Sequence, residues 1–465
     1  MMKIRKFATD YSLSLNDPLS LFLYIPIIIA IYASYIISQN PVDLVINDEI
    51  FLLIDIALND FTLDSNELWK NKAGTKWPLY KFLFALSANG GWHHYLFLAS
   101  GFFSIITLFF TVFIILKMEK LKFEYSIAFL ISIFLLARPN SYYSFFHSLL
   151  SERFAELILS LVFFIIAIYL FHKQRYNWFI VVAIIGSLFT VITGNPFGMP
   201  IIFAVIPTLL FCYHWREALL HKLVFVILTY LIFKIYIYGI PLIENQNIFA
   251  FFNLWKNTSW LIYFFINPFS DFLSLLDNKE QYLHRLIAGL AFFIPAAAYT
   301  IINRKDNFLI TLSFFSLSAF VFAAGVLYVG ESVHIARCDN LECLSSKMSH
   351  RFVLAPFGTM FISFLLFHFA LRHSSKSKNV IKFLILILFS YIILVSTISD
   401  FDNFKKGIER RSVGSSNFHL GKNPEDPCWR RIGFWRPMDD EVCNLLVNTY
   451  MEMKLNKKNI TFDIF

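Results

Sequence analysis

Long apolar blocks alternate with short polar connectors over most of the chain. Leu19 to Ile37 is almost wholly apolar, and a run of about 18 or more such residues reads as a helix crossing the bilayer core. Blocks of this kind lie at 19–38, 94–116, 124–137, 154–171, 178–194, 198–213, 223–242, 286–302, 308–329, 352–371 and 380–398. The third is short, which a helix buried in a bundle or lining a cavity tolerates. Segment 260–276 is aromatic-rich and broken by Pro268, so it reads as an interfacial or re-entrant helix and not as a further span. The pattern predicts an all-α polytopic membrane protein with about 11 transmembrane helices.

Between alternate blocks lie small basic connectors: Lys117 to Lys122, Lys173 and Arg175, Arg216 to Lys222, Arg304 and Lys305, and Arg372 to Lys378. With Lys3, Arg5 and Lys6 they all share one side of the membrane, and an excess of Lys and Arg marks that side as cytoplasmic. The N-terminus is then inside and the C-terminus outside. The long loops 39–93, 138–153, 243–285 and 330–350 collect on the outer side with the tail. The chain divides into a membrane body, 1–398, and a small extracytoplasmic cap, 399–465, loop-rich and too short for a core of its own. If 260–276 did span, the tail would move to the cytoplasm and the downstream charge pattern would invert. The first apolar block is too long for a cleavable signal and lacks a small-residue cleavage site, so it reads as a retained signal anchor.

Composition narrows the class without changing this outline. Apolar residues make up 57% of the 465, 56 of them Phe, and only 15% are charged, with mean hydropathy +0.60. That excludes a disordered chain and fits a soluble globule poorly. The net charge of +8 sits in the connectors, where it sets orientation and is no nucleic-acid signal. Of five cysteines, Cys212 lies in an apolar run and reads as a small buried hydrophobe. Cys338 and Cys343 share one polar loop, and Cys428 and Cys443 share the tail. None has metal-type paired spacing; outside the cell membrane two local disulfides are plausible, with reduced thiols the alternative.

The candidate chemistry lies in the outer loops. Asp48 and Glu49 are adjacent carboxylates just past the first span, among apolar neighbours. Ionised groups near the membrane are costly unless a polar cavity or partner receives them, which makes them functional candidates; a solvated acidic turn is the alternative. Asp55, seven residues from Asp48, would share its face of a helix. Lys76-Trp77-Pro78 precedes an apolar helix too short to cross the bilayer, with Pro78 suited to its first turn. Arg138 opens the second outer loop, and Glu152, Arg153 and Glu156 enter the fourth span. Gly194-Asn195-Pro196-Phe197-Gly198 forms a short outer turn, and Arg351 opens a late span containing Pro356. Lys76 and Arg351 would also serve as interfacial snorkelling residues, and Glu152 and Arg153 as a solvated pair at a helix start. His93-His94 reads as an interfacial pair in preference to a metal site.

This ordering resembles the GT-C superfamily of membrane glycosyltransferases, in particular the protein mannosyltransferase and lipid A aminoarabinose transferase branch. The resemblance rests on Asn47-Asp48-Glu49-Ile50-Phe51 after the first span, Lys76-Trp77-Pro78-Leu79-Tyr80 at a juxtamembrane helix, Glu152 and Glu156 at the fourth span, and Arg351-Phe352-Val353-Leu354-Ala355-Pro356 late in the chain. It covers roughly 19–371 in order and spacing. Trp77 replaces one Pro of the family's Lys-Pro-Pro element, and Asn195 stands where the family has Lys. Serotype-converting O-antigen glucosyltransferases are similar in size and Phe/Ile-rich composition. The resemblance implies a bacterial cytoplasmic (inner) membrane enzyme, active on the outer face, moving a sugar from a polyprenyl-phosphate donor to a glycan or lipid-linked acceptor such as lipopolysaccharide O-antigen.

For such a transfer Asp48 would act as general base on the acceptor hydroxyl, with Glu49 its neighbour. The leaving lipid phosphate needs cations, for which Lys76, Arg138, Arg153 and Arg351 are candidates. Glu152 or Glu156 would orient the base, or, with Asp48, hold a divalent cation such as Mg between acid and phosphate; no other cofactor is implied. A single displacement would invert the anomeric centre. The rival readings are a polymerase or ligase using polyprenyl-diphosphate glycans, which would concentrate Arg and His in one large late loop, and a lipid-linked sugar transporter or flippase, which would want polar or charged residues at mid-membrane depth.

Overall fold

The computed structural model describes residues 48–69, 78–89, 95–119, 148–193, 198–238, 282–330, 357–358, 360–365, 368, 440–455 and 459–463. These are mostly helical. In chain order the elements are α1 (Asp48–Leu58), β1 (Thr62–Asp64), α2 (Ser65–Trp69), α3 (Pro78–Asn89), α4 (Tyr95–Met118), α5 (Ser148–His172), α6 (Tyr176–Thr193), α7 (Gly198–Phe211), α8 (Leu219–Tyr238), α9 (Tyr282–Ile302), α10 (Phe308–Gly330), α11 (Asp440–Leu455) and β2 (Thr461–Asp463). Three stretches have the length and apolarity to cross a membrane: Ala155–His172, Tyr176–Thr193 and Phe308–Gly325. The expected spans 19–38, 124–137 and 380–398, and segment 260–276, lie outside the described residues.

The direction of each long helix follows from ties at one end of the bundle. Lys173 Nζ meets Glu119 Oε1 at 2.7 Å, so α4 and α5, packed along each other, run the same way and finish together. The chain reverses at Gln174, whose φ of 57° is left-handed, and α6 climbs back along α5. Tyr176 donates to Glu217 at 3.0 Å and His221 meets Asn177 at 3.1 Å, which puts the α7–α8 connector at the same end. Arg304 Nε donates to the Phe211 carbonyl at 3.1 Å, adding the α9–α10 connector. Asn307 Nδ2 lies 2.9 Å from His368 Nδ1, adding the residues after the helical stretch 357–365. Lys117, Lys173, Arg175, Arg216, Lys222, Arg304 and Lys305 therefore gather at one end, called here the basic end.

The core of the bundle is α5. It touches α4, α6 and α7, and Phe164, Ile165, Ala167 and Ile168 are fully buried in it. Between lipid-embedded helices there is little hydrophobic drive, so close packing at small residues does the work. Gly186 of α6 is such a place: a Cβ there would stand 2.8 Å from Phe163 Cβ on α5. Ala204 on α7 and Ala319 and Ala323 on α10 are likewise fully buried. Pro207 and Pro295 interrupt α7 and α9; Thr208 and Thr300 donate to the Ala204 and Ala296 carbonyls at 2.7 and 2.9 Å. Outward faces stay apolar: Trp178, Val181, Ile185, Leu188 and Ile192 form an exposed stripe along α6, at a spacing that suits contact with lipid.

At the other end α1, β1, α2 and α3 meet α11 and β2. The two strands form a parallel pair in the register Thr62↔Thr461, Leu63↔Phe462 and Asp64↔Asp463. The sequence reading of an all-α chain with a loop-rich tail differs here. The tail holds a helix of 16 residues and a strand that pairs with the first loop. Strands of three residues carry no readable alternation and are stabilised only by their partner, which in this chain lies some four hundred positions away.

Candidate functional site

The end of the bundle opposite the basic connectors holds the elements that carry the sequence candidates. Asp48 and Glu49 are the first two residues of α1, where acids complement the helix dipole. Leu52, Leu53 and Ile56 bury its inner face, and Asp55 is half-buried. The helix stops in an unusual turn. Asp60 and Phe61 both have left-handed φ, 50° and 59°, which is uncommon for any residue but glycine and least expected for a bulky one. Phe61 N donates to the Ile56 carbonyl at 2.9 Å, and the Phe61 ring is buried.

Asp64 caps α2, its Oδ1 accepting from Glu67 N at 2.7 Å as an N-cap carboxylate does. After residues 70–77, α3 begins at Pro78, as its sequence predicts. Lys81 sits one turn later and is only 1% exposed. Its Nζ donates to the Glu67 carbonyl, so a buried ammonium fastens α3 to α2 across the segment that contains Lys76. Sequence reasoning passed over Lys81. Its signal was there: one charge inside the otherwise apolar run Pro78-Leu79-Tyr80-Lys81-Phe82-Leu83-Phe84.

Glu156 lies two turns into α5 and is 3% exposed. One turn further, on the same helix face, Ser160 Oγ lies 3.3 Å from Thr190 Oγ1 of α6. Thr190 in turn fills the space above Gly198 at the start of α7, where a Cβ would fall 2.3 Å from Thr190 Cγ2. Glu156 thus shares a face of α5 with Ser160, which meets the last turn of α6; residues 194–197 of the turn singled out in the sequence lie outside the described residues. Around it α3 packs on α5 and α6, and α1 packs on α5 and α11.

The structure brings together the helices bearing Asp48, Glu49, Glu152, Arg153 and Glu156; of these side chains only that of Glu156 is among the described residues. Lys76, Arg138, Arg351, Cys338, Cys343 and Cys428 also lie outside them. Cys443 is fully buried in α11 and disulfide-bonded, to a partner outside the described residues. Cys212 is a free, buried thiol. Among the described residues no cluster of three His, Cys, Asp or Glu could hold a metal ion; the Asp48 and Glu152 side chains expected at a Mg site are not among them. Comparison with protein-family models, with curated proteins and with solved structures finds no match for this chain.

Proposed function

We propose that the protein is an integral-membrane glycosyltransferase that moves a sugar from a polyprenyl-phosphate donor to a glycan or lipid-linked acceptor on the outer face of a bacterial cytoplasmic membrane. The observation that carries this reading is the gathering of α1, which opens with Asp48-Glu49, of α3 behind Lys76, and of the Glu156 end of α5, at the end opposite the basic connectors. The positive-inside rule makes the basic end cytoplasmic. Two further features support outward loops. Tyr238 and Tyr282 end at the same side of the bundle, which is what an interfacial 260–276 requires. The β1–β2 pairing of the first loop with the tail supports an odd number of spans, which leaves both on one side.

In this reading Asp48 removes the proton of the acceptor hydroxyl as its oxygen attacks the anomeric carbon. The bond from that carbon to the phosphate oxygen breaks, and its electron pair leaves with the lipid phosphate. Lys76 and Arg351 take up the charge of the leaving group, and Glu156 or Glu152 holds the base in place. Most buried polar groups in the described spans are hydroxyls, bonded to their own helix, as Thr190 is to the Gly186 carbonyl at 2.9 Å, or to a neighbour, as Ser313 is to the Phe361 carbonyl at 2.8 Å, and the buried charges Glu156 and Lys222 lie towards helix ends. That disfavours a transporter, which needs charge at such depth.

The test is Asp48→Asn in purified protein reconstituted with undecaprenyl-phosphate glucose labelled in its phosphate and with a lipopolysaccharide acceptor, the released undecaprenyl phosphate being counted. Loss of a general base lowers transfer by about 100-fold or more, with membrane insertion unchanged. Equal release by the variant and the wild type removes Asp48 from the chemistry.

A further inference from the structure

We infer that the C-terminal segment 440–463 is a working part of the outward end: docked through Asn89 and β1, it holds α1 in place and with it the carboxylates at the start of α1. The inference rests on the glycosyl-transfer reading only for its effect on activity.

Asn89, the last residue of α3, treats Ile460 as one strand treats another. Its Nδ2 donates to the Ile460 carbonyl at 2.8 Å, and its Oδ1 accepts from Ile460 N at 2.6 Å. The next residue, Thr461, donates its backbone N–H to the Phe61 carbonyl at 2.8 Å. Phe462 packs its ring on Phe82 of α3, centroids 5.2 Å apart. A pair of strands three residues long has no independent stability, so these side-chain clamps are what make it form.

The receiving carbonyl belongs to the left-handed Asp60-Phe61 turn that closes α1. Non-glycine residues persist in that conformation only when their surroundings hold them there. The buried Phe61 ring supplies one hold and the docked Thr461 the other. Along its flank, α1 also packs on α11, where Cys443 is fully buried and disulfide-bonded. The helix that opens with Asp48-Glu49 is thus held at its end by the tail strand and at its side by the tail helix. Asn89 is in this sense a positioning residue, acting through a segment it does not belong to.

The experiment uses the full chain in proteoliposomes. Ile460, buried at 2% exposure, is replaced in an Ile460→Cys variant and labelled with a membrane-impermeant maleimide. Asn89→Ala removes two hydrogen bonds to the tail and speeds labelling about ten-fold, and Asn89→Asp, which sets a carboxylate oxygen against the Ile460 carbonyl, speeds it at least as much. Deuterium exchange over 48–58 rises in Asn89→Ala, while exchange over 155–172 stays at the wild-type level and shows that the bundle is folded. A Thr62→Cys/Thr461→Cys disulfide, at hydroxyls now 3.1 Å apart, returns exchange over 48–58 to the wild-type level and restores sugar transfer. Unchanged labelling in Asn89→Ala, or exchange over 48–58 that the cross-link does not restore, overturns the inference. Absence of transfer in every variant, wild type included, with exchange behaving as stated, overturns the glycosyl-transfer reading alone.

Discussion

The two ends of this bundle are built on different plans. At the basic end, the connectors are short and their ties local in sequence or between neighbouring connectors: Gln174 reverses the chain, Lys222 Nζ donates to the His214 carbonyl at 2.8 Å, and Tyr176 reaches Glu217. At the opposite end, which the proposal above makes the outward one, the parts come from the first loop, the start of α5, the end of α6, the start of α7 and the last residues of the chain. A connector that only has to turn can be brief and charged. An end that holds carboxylates in a fixed geometry, as the glycosyl-transfer proposal asks of this one, draws on distant segments, because rigidity there needs several independent supports. The difference makes the outward end the place where single substitutions carry the larger penalties.

The largest effect on the fold belongs to Gly198. Its added Cβ would already meet Thr190 at 2.3 Å, so Gly198→Val forces α6 and α7 apart and destabilises by about 1–3 kcal/mol, the range for overpacking. Thermal unfolding in detergent measures it. Gly198→Ala costs less, and pairing it with Thr190→Ala recovers most of that smaller loss if the contact is the cause. Failure of that rescue would place the strain elsewhere and weaken the close approach drawn between α6 and α7.

Next comes Lys81. Lys81→Met keeps the volume of the stem and deletes the bond to the Glu67 carbonyl, a cost of about 1–3 kcal/mol for a charged donor lost from a buried site. The loss is local, so deuterium exchange rises over 65–69 and 78–89 while that over 308–325 stays unchanged. If exchange rises equally in α10, the outward end is not the separate unit that the comparison makes it.

Much of the bundle was legible in the sequence because apolar length is a strong signal. The blocks at 94–116 and 308–329 appear as Tyr95–Met118 and Phe308–Gly330, and Pro78 starts α3 where its missing N–H costs nothing. The clustering of Lys173, Arg216 and Arg304 followed from counting connectors. The outward end was legible only in part. The helix expected at 154–171 is there with Glu156 buried in it, whereas the sequence does not mark Asp48 as a helix start. The sheet was not readable, since Thr62-Leu63-Asp64 and Thr461-Phe462-Asp463 are too short for a period and their pairing is non-local. Nor was Asn89, whose role depends on a backbone that arrives from the far end of the chain.

A smaller effect tests the strained turn. Asp60 is exposed with φ 50°, so Asp60→Gly relieves a left-handed residue and gives back part of the gain as unfolded-state entropy. The net change is a stabilisation of about 0.5 kcal/mol, read as slower exchange at the end of α1. Phe61→Gly at the neighbouring position relieves similar strain but removes a buried ring, and on balance is destabilising. Opposite signs at adjacent positions show the turn to be held by the Phe61 ring and not by its own preference.

The smallest effect is at the basic end. Lys173 and Glu119 are 2.7 Å apart with side-chain exposures of 39% and 17%, close enough to an open surface that water and salt screen most of the attraction. A double-mutant cycle of Lys173→Ala and Glu119→Ala gives a coupling of about 0.2–1 kcal/mol, which shrinks further in high salt. A coupling above that range would mean that the basic end, too, is held by a few decisive contacts. Redundancy predicts the reverse: the α5–α6 turn keeps its form without this pair, since Arg175 N still bonds the Leu170 carbonyl at 2.9 Å and α4 still lies along α5. The same truncation at Asn89 removes two bonds at once and leaves the tail to the Thr461 bond with Phe61 and the Phe462–Phe82 contact, and the ratio of the two losses measures how far the ends differ.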